Sequence, residues 1–194
     1  MLVLVGYASE HGSTRGIAER VALVLAETGI AAEARPVADV GDAGVYDAFV
    51  LGSAVHANAW LPDASRFVER NRALLAERPV WLFSVGLARV VGGWFEAHAP
   101  EPREVSRWRE ELLPRGHRTF AGALLKEHLP GAGRLAYRMM HGRYGDFRNW
   151  PEIDDWAQDV ARSLPAGIRT TGTRTAGART AGPARPADHG RRAS

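Results

Sequence analysis

Short apolar runs that alternate with helix-period segments constrain this chain more than any other feature. Residues 2–7 (LVLVGY) are apolar at odd and even positions alike, the pattern of a strand buried on both faces. Residues 13–28 then place Ile17, Val21, Val24 and Leu25 at helical spacing, and Gly29 stops the helix. Further strands are read at 30–37, 46–51 (YDAFVL), 79–84 (PVWLFS) and 119–125 (TFAGALL). Helices are read at 61–76, with Pro62 near the start and Phe67, Leu74 and Leu75 on one side, and at 104–113. A last helix is read at 150–164, where Asp154 and Asp155 suit the positive end of the helix dipole. Five strands alternating with helices predict an α/β fold around a parallel, doubly wound sheet. Ligands of such sheets sit beyond the carboxyl ends of the strands, at the switch in strand order. That rule singles out residues 9–14, 52–60 and 84–94.

Charge divides the chain in two. The whole chain carries +3, whereas residues 166–194 hold six arginines and one aspartate, a charge of +5; residues 1–165 therefore carry −2. The basic character belongs to a low-complexity tail, in which RTTGT, RTAGA and RTAGP repeat without enough apolar surface to order themselves. Residues 1–165 are read as one domain and 166–194 as a disordered tail. The tail either has no specific role or touches acidic lipid or nucleic acid weakly, and the domain is not expected to bind nucleic acid specifically. With no cysteine there is no disulfide framework, thiolate metal site or thiol nucleophile. His11, His56, His98, His117, His128 and His141 lack the spacing of a ligand set, so no metal is expected. No apolar run approaches a membrane span and no basic leader precedes the first strand, which makes the cytoplasm the expected location.

The stretch Ser9-Glu-His-Gly-Ser-Thr14 packs hydroxyls and a glycine between a strand and a helix. It reads either as a turn whose hydroxyls cap the helix or as a cradle for a phosphate. The second reading uses the unpaired amides of a helix N-terminus, a glycine for close approach, and the hydroxyls of Ser9, Ser13 and Thr14. No lysine follows Gly12, which argues against a nucleoside triphosphate loop, and there is no G-x-G-x-x-G.

Ser9-x-x-Gly12-x-Thr14-x-x-x-Ala18, directly after a buried first strand, resembles the FMN phosphate loop of the flavodoxin family. The resemblance implies a flavodoxin-like three-layer sandwich with five parallel strands in the order 2-1-3-4-5, and FMN as cofactor. It implies that Ser9, Glu10, His11, Gly12, Ser13 and Thr14 surround the phosphate. Gly6 and His11 depart from the family pattern, which favours a large apolar residue and a threonine at those positions. By the same resemblance the flavin ring lies between the loops after the third and fourth strands. The first loop would supply Ser53, Ala54, Val55, His56, Ala57, Asn58 and Trp60, and the second Ser84, Val85, Gly86, Leu87 and Ala88. Trp60 and Trp94 are the candidates for stacking on the ring. A narrower resemblance, in GSAVHANAWLPDASRFVERN, FSVGLAR and FAGALL, is to the menaquinone-dependent protoporphyrinogen dehydrogenase group.

That group implies an enzyme in which FMN takes electrons from a small organic donor and passes them to a quinone, at the inner face of the membrane. The long connections after the fourth and fifth strands would serve the donor or the quinone through Arg103, Arg107, Trp108 and Arg109, and through Arg134, Tyr137, Arg138, Met139 and Met140, unless these simply pack on the sheet. The alternatives are a flavodoxin-type electron carrier without its own substrate and a flavin-less binding domain. A carrier usually presents a strongly acidic face, and a domain charge of −2 gives that little support.

Overall fold

The first strand, β1 (Leu2–Ala8), is buried at six of its seven positions, so it needs a neighbour on each edge and a layer on each face. A computed structural model describes residues 1–86, 101–125 and 144–164 and supplies both. After β1 come α1 (Ser13–Glu27), β2 (Ala31–Pro36), β3 (Ala48–His56) and β4 (Ala59–Trp60). Then follow α2 (Pro62–Arg70), α3 (Arg72–Glu77), β5 (Val80–Gly86), α4 (Arg103–Glu111) and β6 (Gly116–Ala121). The last elements are β7 (Ala123–Leu124), β8 (Gly145–Asp146) and α5 (Trp150–Ser163). The main sheet runs β2-β1-β3-β5-β6, all parallel, with β4 antiparallel on β3; β7 and β8 form a separate antiparallel pair. Setting β4 aside, this is the expected five-strand order, with its switch between β1 and β3.

Each face of the sheet carries its own core. Val3, Val5 and Tyr7 pack with Ile17, Val21 and Leu25 of α1 and with Ile153, Trp156 and Val160 of α5. Leu4, Phe49 and Leu51 pack on the other face with Phe67 and Val68 of α2, Leu75 of α3, and Val105 and Trp108 of α4. Truncating a fully buried Ile17 or Phe67 to alanine would remove about 2–5 kcal/mol of packing. The two helices flanking the first face are also joined by a two-pronged ion pair, with Arg20 Nε to Asp154 Oδ1 and Nη2 to Oδ2 both 2.6 Å.

Several element boundaries differ from expectation for identifiable reasons. The third strand starts at Ala48 and does not end at Leu51 but continues to His56, because Ser53 and Ala54 pair with Ser84 and Val85 of β5. Gly52 is instead a packing glycine: a Cβ there would lie 2.0 Å from the Phe83 ring. Gly6 is another, since Leu51 and Val37 already fill the space its side chain would take, at 2.9 and 3.0 Å. The helix expected over 61–76 breaks into α2 and α3 at Asn71, whose side chain donates to the Phe67 carbonyl at 2.8 Å and competes with the helical pattern. The last main strand is Gly116–Ala121 rather than 119–125. Beyond it the Gly122 carbonyl accepts from Phe147 N and the Ala123 N–H donates to Ser13 Oγ, so the chain has left the sheet. The proposed tail, 166–194, lies outside the described residues, as do Arg134, Tyr137, Arg138, Met139 and Met140.

Candidate functional site

The carboxyl ends of β1, β3 and β5 open into a cleft on the α1 side of the sheet, enclosing about 610 Å³ of space open to solvent. One end of it is the start of α1. Gly12 stands at the N-cap with φ +83° and ψ −10°, a left-handed conformation suited to glycine. No side chain caps the helix and no acidic residue occupies its first turn. Ser9 Oγ accepts from the Gly12 N–H at 3.0 Å, which closes the loop on itself before the helix begins. Ser13 Oγ accepts from the Ala123 N–H at 2.7 Å and keeps its own proton for another acceptor.

Thr14 is the telling residue. It is fully buried, it lines the cleft, and its hydroxyl has no hydrogen-bond partner. A buried hydroxyl left unpaired costs about 1–3 kcal/mol, and an anion beside it would also meet the free amides of the first helical turn. Arg15, the nearest cation of the loop, is turned onto Glu19 at 2.7 Å. An anion here is therefore held by amides and hydroxyls in preference to a cation.

The rest of the cleft is largely apolar. Ala54, Val55 and His56 form one wall and Val85 and Gly86 another. A third wall, Gly122, Ala123 and Leu124, was missed by sequence reasoning, which ran the last strand through it. The small residues of FAGALL were the available signal: a Cβ on Gly122 would press on Ser13 Oγ and Val85 Cγ1, each at 3.0 Å. At the rim, His56 Nε2 lies 3.0 Å from Glu10 Oε2 and so joins the β3 end to the loop before α1, with His11 beside them.

The remaining expected residues lie elsewhere. Ala57 and Asn58 form the two-residue turn between β3 and β4, with φ +47° and +60°. Ser53 and Ser84 are fully buried and alternate away from the cleft; Ser53 Oγ accepts from Leu61 N at 2.9 Å. Trp60, expected against the flavin, belongs to the opposite core, because the tight turn folds β4 back beneath β3. Its ring packs edge-on against Trp108 at 5.1 Å and its Nε1–H donates to Ser84 Oγ at 2.8 Å. Trp108 is itself fully buried, and Arg107 and Arg109 are paired with Glu69 and Glu101, which leaves neither arginine idle for a substrate. Leu87, Ala88 and Trp94 lie outside the described residues. Among the described residues no cluster of histidine and carboxylate side chains could hold a metal, and no helix is long and apolar enough to cross a membrane.

A family model described as Flavodoxin domain matches residues 4–147. The chain belongs to the flavodoxin domain family. Its cofactor is FMN. The chain is similar in fold to a flavodoxin from the domain Archaea, with a TM-score of 0.55 at 15% identity over 84% of this chain and 97% of that one. It is likewise similar to oxidised Flavodoxin 1 from Bacillus cereus, with a TM-score of 0.52 at 17% identity over 84% and 99%. No curated protein sequence matches the chain significantly. The site fits the cofactor of this flavodoxin domain at the point where its own hydrogen bonding is incomplete. Thr14, Ser13 and the first amides of α1 suit the phosphate, and the small apolar walls suit a flat ring.

Proposed function

We propose that this flavodoxin domain is an FMN-dependent oxidoreductase that takes electrons from a small reduced organic donor and delivers them to a quinone. Protoporphyrinogen IX is the donor that the sequence resemblance suggests. Bound FMN supplies the electron chemistry, accepting one or two electrons and passing them on. The protein's residues hold the phosphate at Ser9–Thr14, flank the ring with Ala54–His56 and Val85–Gly86, and limit what can approach it.

One observation carries the enzymatic reading over that of a carrier. The connection between β5 and β6 returns as α4 and is bonded to the β3–β4 hairpin and to β6, on the face of the sheet behind the cleft. The Arg103 N–H donates to the Asn58 carbonyl at 3.2 Å, in the β3–β4 turn. Glu104 Oε2 accepts from Trp60 N at 3.2 Å, and Glu101 Oε1 lies 3.0 Å from His117 Nδ1. A segment fastened at three points behind the strand ends that wall the cleft supports a part in fixing the shape of the ring site, and so what reaches the flavin. A shuttle needs only an exposed ring edge.

Anaerobic stopped-flow mixing tests this reading. The FMN-loaded protein should bleach with protoporphyrinogen IX and recover its yellow colour with a menaquinone. Reduction by neither donor nor quinol, together with fast exchange with a ferredoxin-type partner, would reassign it as a carrier.

A further inference from the structure

A largely buried chain of hydrogen bonds runs behind the ring end of the cleft, on the far face of the sheet. Trp60 Nε1 is only a donor, so at 2.8 Å Ser84 Oγ must accept from it. The one Ser84 proton is then free for His117 Nε2, 2.9 Å away. Glu101 Oε1, which only accepts, faces Nδ1 at 3.0 Å and keeps the proton of the neutral ring there, so Nε2 is the acceptor of the Ser84 proton. Glu101 is held as a carboxylate by Arg109 and by the Ser106 hydroxyl at 3.1 Å. Every proton points the same way, from Trp60 to Glu101.

The elements joined are those that shape the cleft. Ser84 immediately precedes Val85 and Gly86, one wall of it. Trp60 pairs across the hairpin with Val55, in the other wall. His117 sits on β6, and its side chain is only 7% exposed. We propose that His117 is a positioning residue of the FMN cleft: as the neutral Nδ1–H tautomer it holds, through Ser84 and Trp60, the two strand ends that flank the flavin ring. This rests on the ring lying between those walls.

Protonation breaks the chain at a defined point. An Nε2–H would face the Ser84 O–H, and with two donors opposed the hydroxyl must turn away and lose its buried acceptor. Burial lowers the His117 pKa below the ordinary histidine value, with Glu101 opposing and Arg109 assisting the shift. The charged groups facing it are these two from the α4 side, while β5 presents the uncharged Ser84. Arg118, next along β6, pairs instead with Glu152 of α5 at 3.7 Å.

The test is a fluorescence titration of the full chain with riboflavin between about pH 5 and 8. Riboflavin probes the ring walls without the phosphate, whose own second ionisation falls near pH 6. Wild-type affinity should fall about tenfold as the pH drops below the ordinary histidine range. His117→Gln keeps an acceptor for Ser84 without titrating, so it should bind as wild type at pH 8 and stay flat with pH. Ser84→Ala should lose about tenfold in riboflavin and FMN alike at pH 8, because the effect lies in the ring walls. Glu101→Gln should move the wild-type midpoint to lower pH. The same pH dependence in His117→Gln as in wild type, or wild-type affinity in a folded Ser84→Ala, would overturn the proposal. A wild-type chain that binds neither flavin at any pH would instead overturn the cofactor assignment.

Discussion

The two helices that pack side by side on one face of the sheet begin in opposite ways. α5 is completed by its own residues. Asn149 accepts from the Glu152 N–H at 3.4 Å, Pro151 fits the first turn, and Glu152 places a carboxylate there. α1 has none of these, and it buries at the same place a threonine hydroxyl with nothing to bond. Both helices bury apolar residues in the same core, so packing does not explain the difference. An α-helix start with free amides, a left-handed glycine and an orphaned hydroxyl is finished by something outside the chain. In this flavodoxin domain we propose that it is the FMN phosphate.

Changes at the two helix starts should therefore have different consequences. The largest is expected from Gly12→Val. Its Cβ would meet open space, so the damage comes from forcing a β-branched residue to φ +83°. The substitution should cost about 2 kcal/mol in the FMN-free protein, read by urea unfolding, and abolish tight FMN binding as the loop amides turn away. Asn149→Ala, at the self-completed end, should cost about 1 kcal/mol in the same unfolding measurement and leave FMN affinity unchanged. Parallel losses of affinity in both variants would erase the distinction.

The smallest effect concerns the link between the two helices. The bidentate hydrogen bonds from Arg20 hold Asp154 below the usual carboxylate pKa. A lowered pKa in the folded state means that the stabilisation is present above the ordinary aspartate range and is lost as the pH falls through the lowered value. Arg20→Ala should thus lower stability at neutral pH and converge with wild type in acid. A stability difference that persists unchanged at low pH would show that the contact acts through packing alone.

The loop at the start of α1 was legible in the sequence because it is local. Ser9, Gly12, Ser13 and Thr14 are chain neighbours, and a strand running into a helix places them together whatever the rest of the fold does. The parallel α/β class was legible for a similar reason, since alternating runs leave few topologies open, and the strand order followed from the flavodoxin resemblance. The ring end was not, because strand pairing and register build it from separate stretches. Trp60 reads as a loop aromatic near the ligand, yet a two-residue turn with positive φ at Ala57 and Asn58 sends it to the opposite core. His117 reads as one scattered histidine among several. Only the pairing of β5 with β6, which brings Ser84 and His117 within 2.9 Å, joins it to the cleft. Gly122 was hidden inside a run that looks like continuous strand.

The central claim is that FMN completes the start of α1, and Thr14→Val tests it most directly. The variant keeps the shape of the side chain and removes only the hydroxyl. Isothermal titration of wild type and variant with FMN and with riboflavin, alongside unfolding of the flavin-free proteins, separates the roles. FMN affinity should fall about 10–100-fold, the scale of a lost hydrogen bond to a charged group, while riboflavin affinity stays the same. The flavin-free variant should be at least as stable as wild type, because an unpaired buried hydroxyl is gone. Unchanged FMN affinity, or an equal loss for riboflavin, would contradict the account.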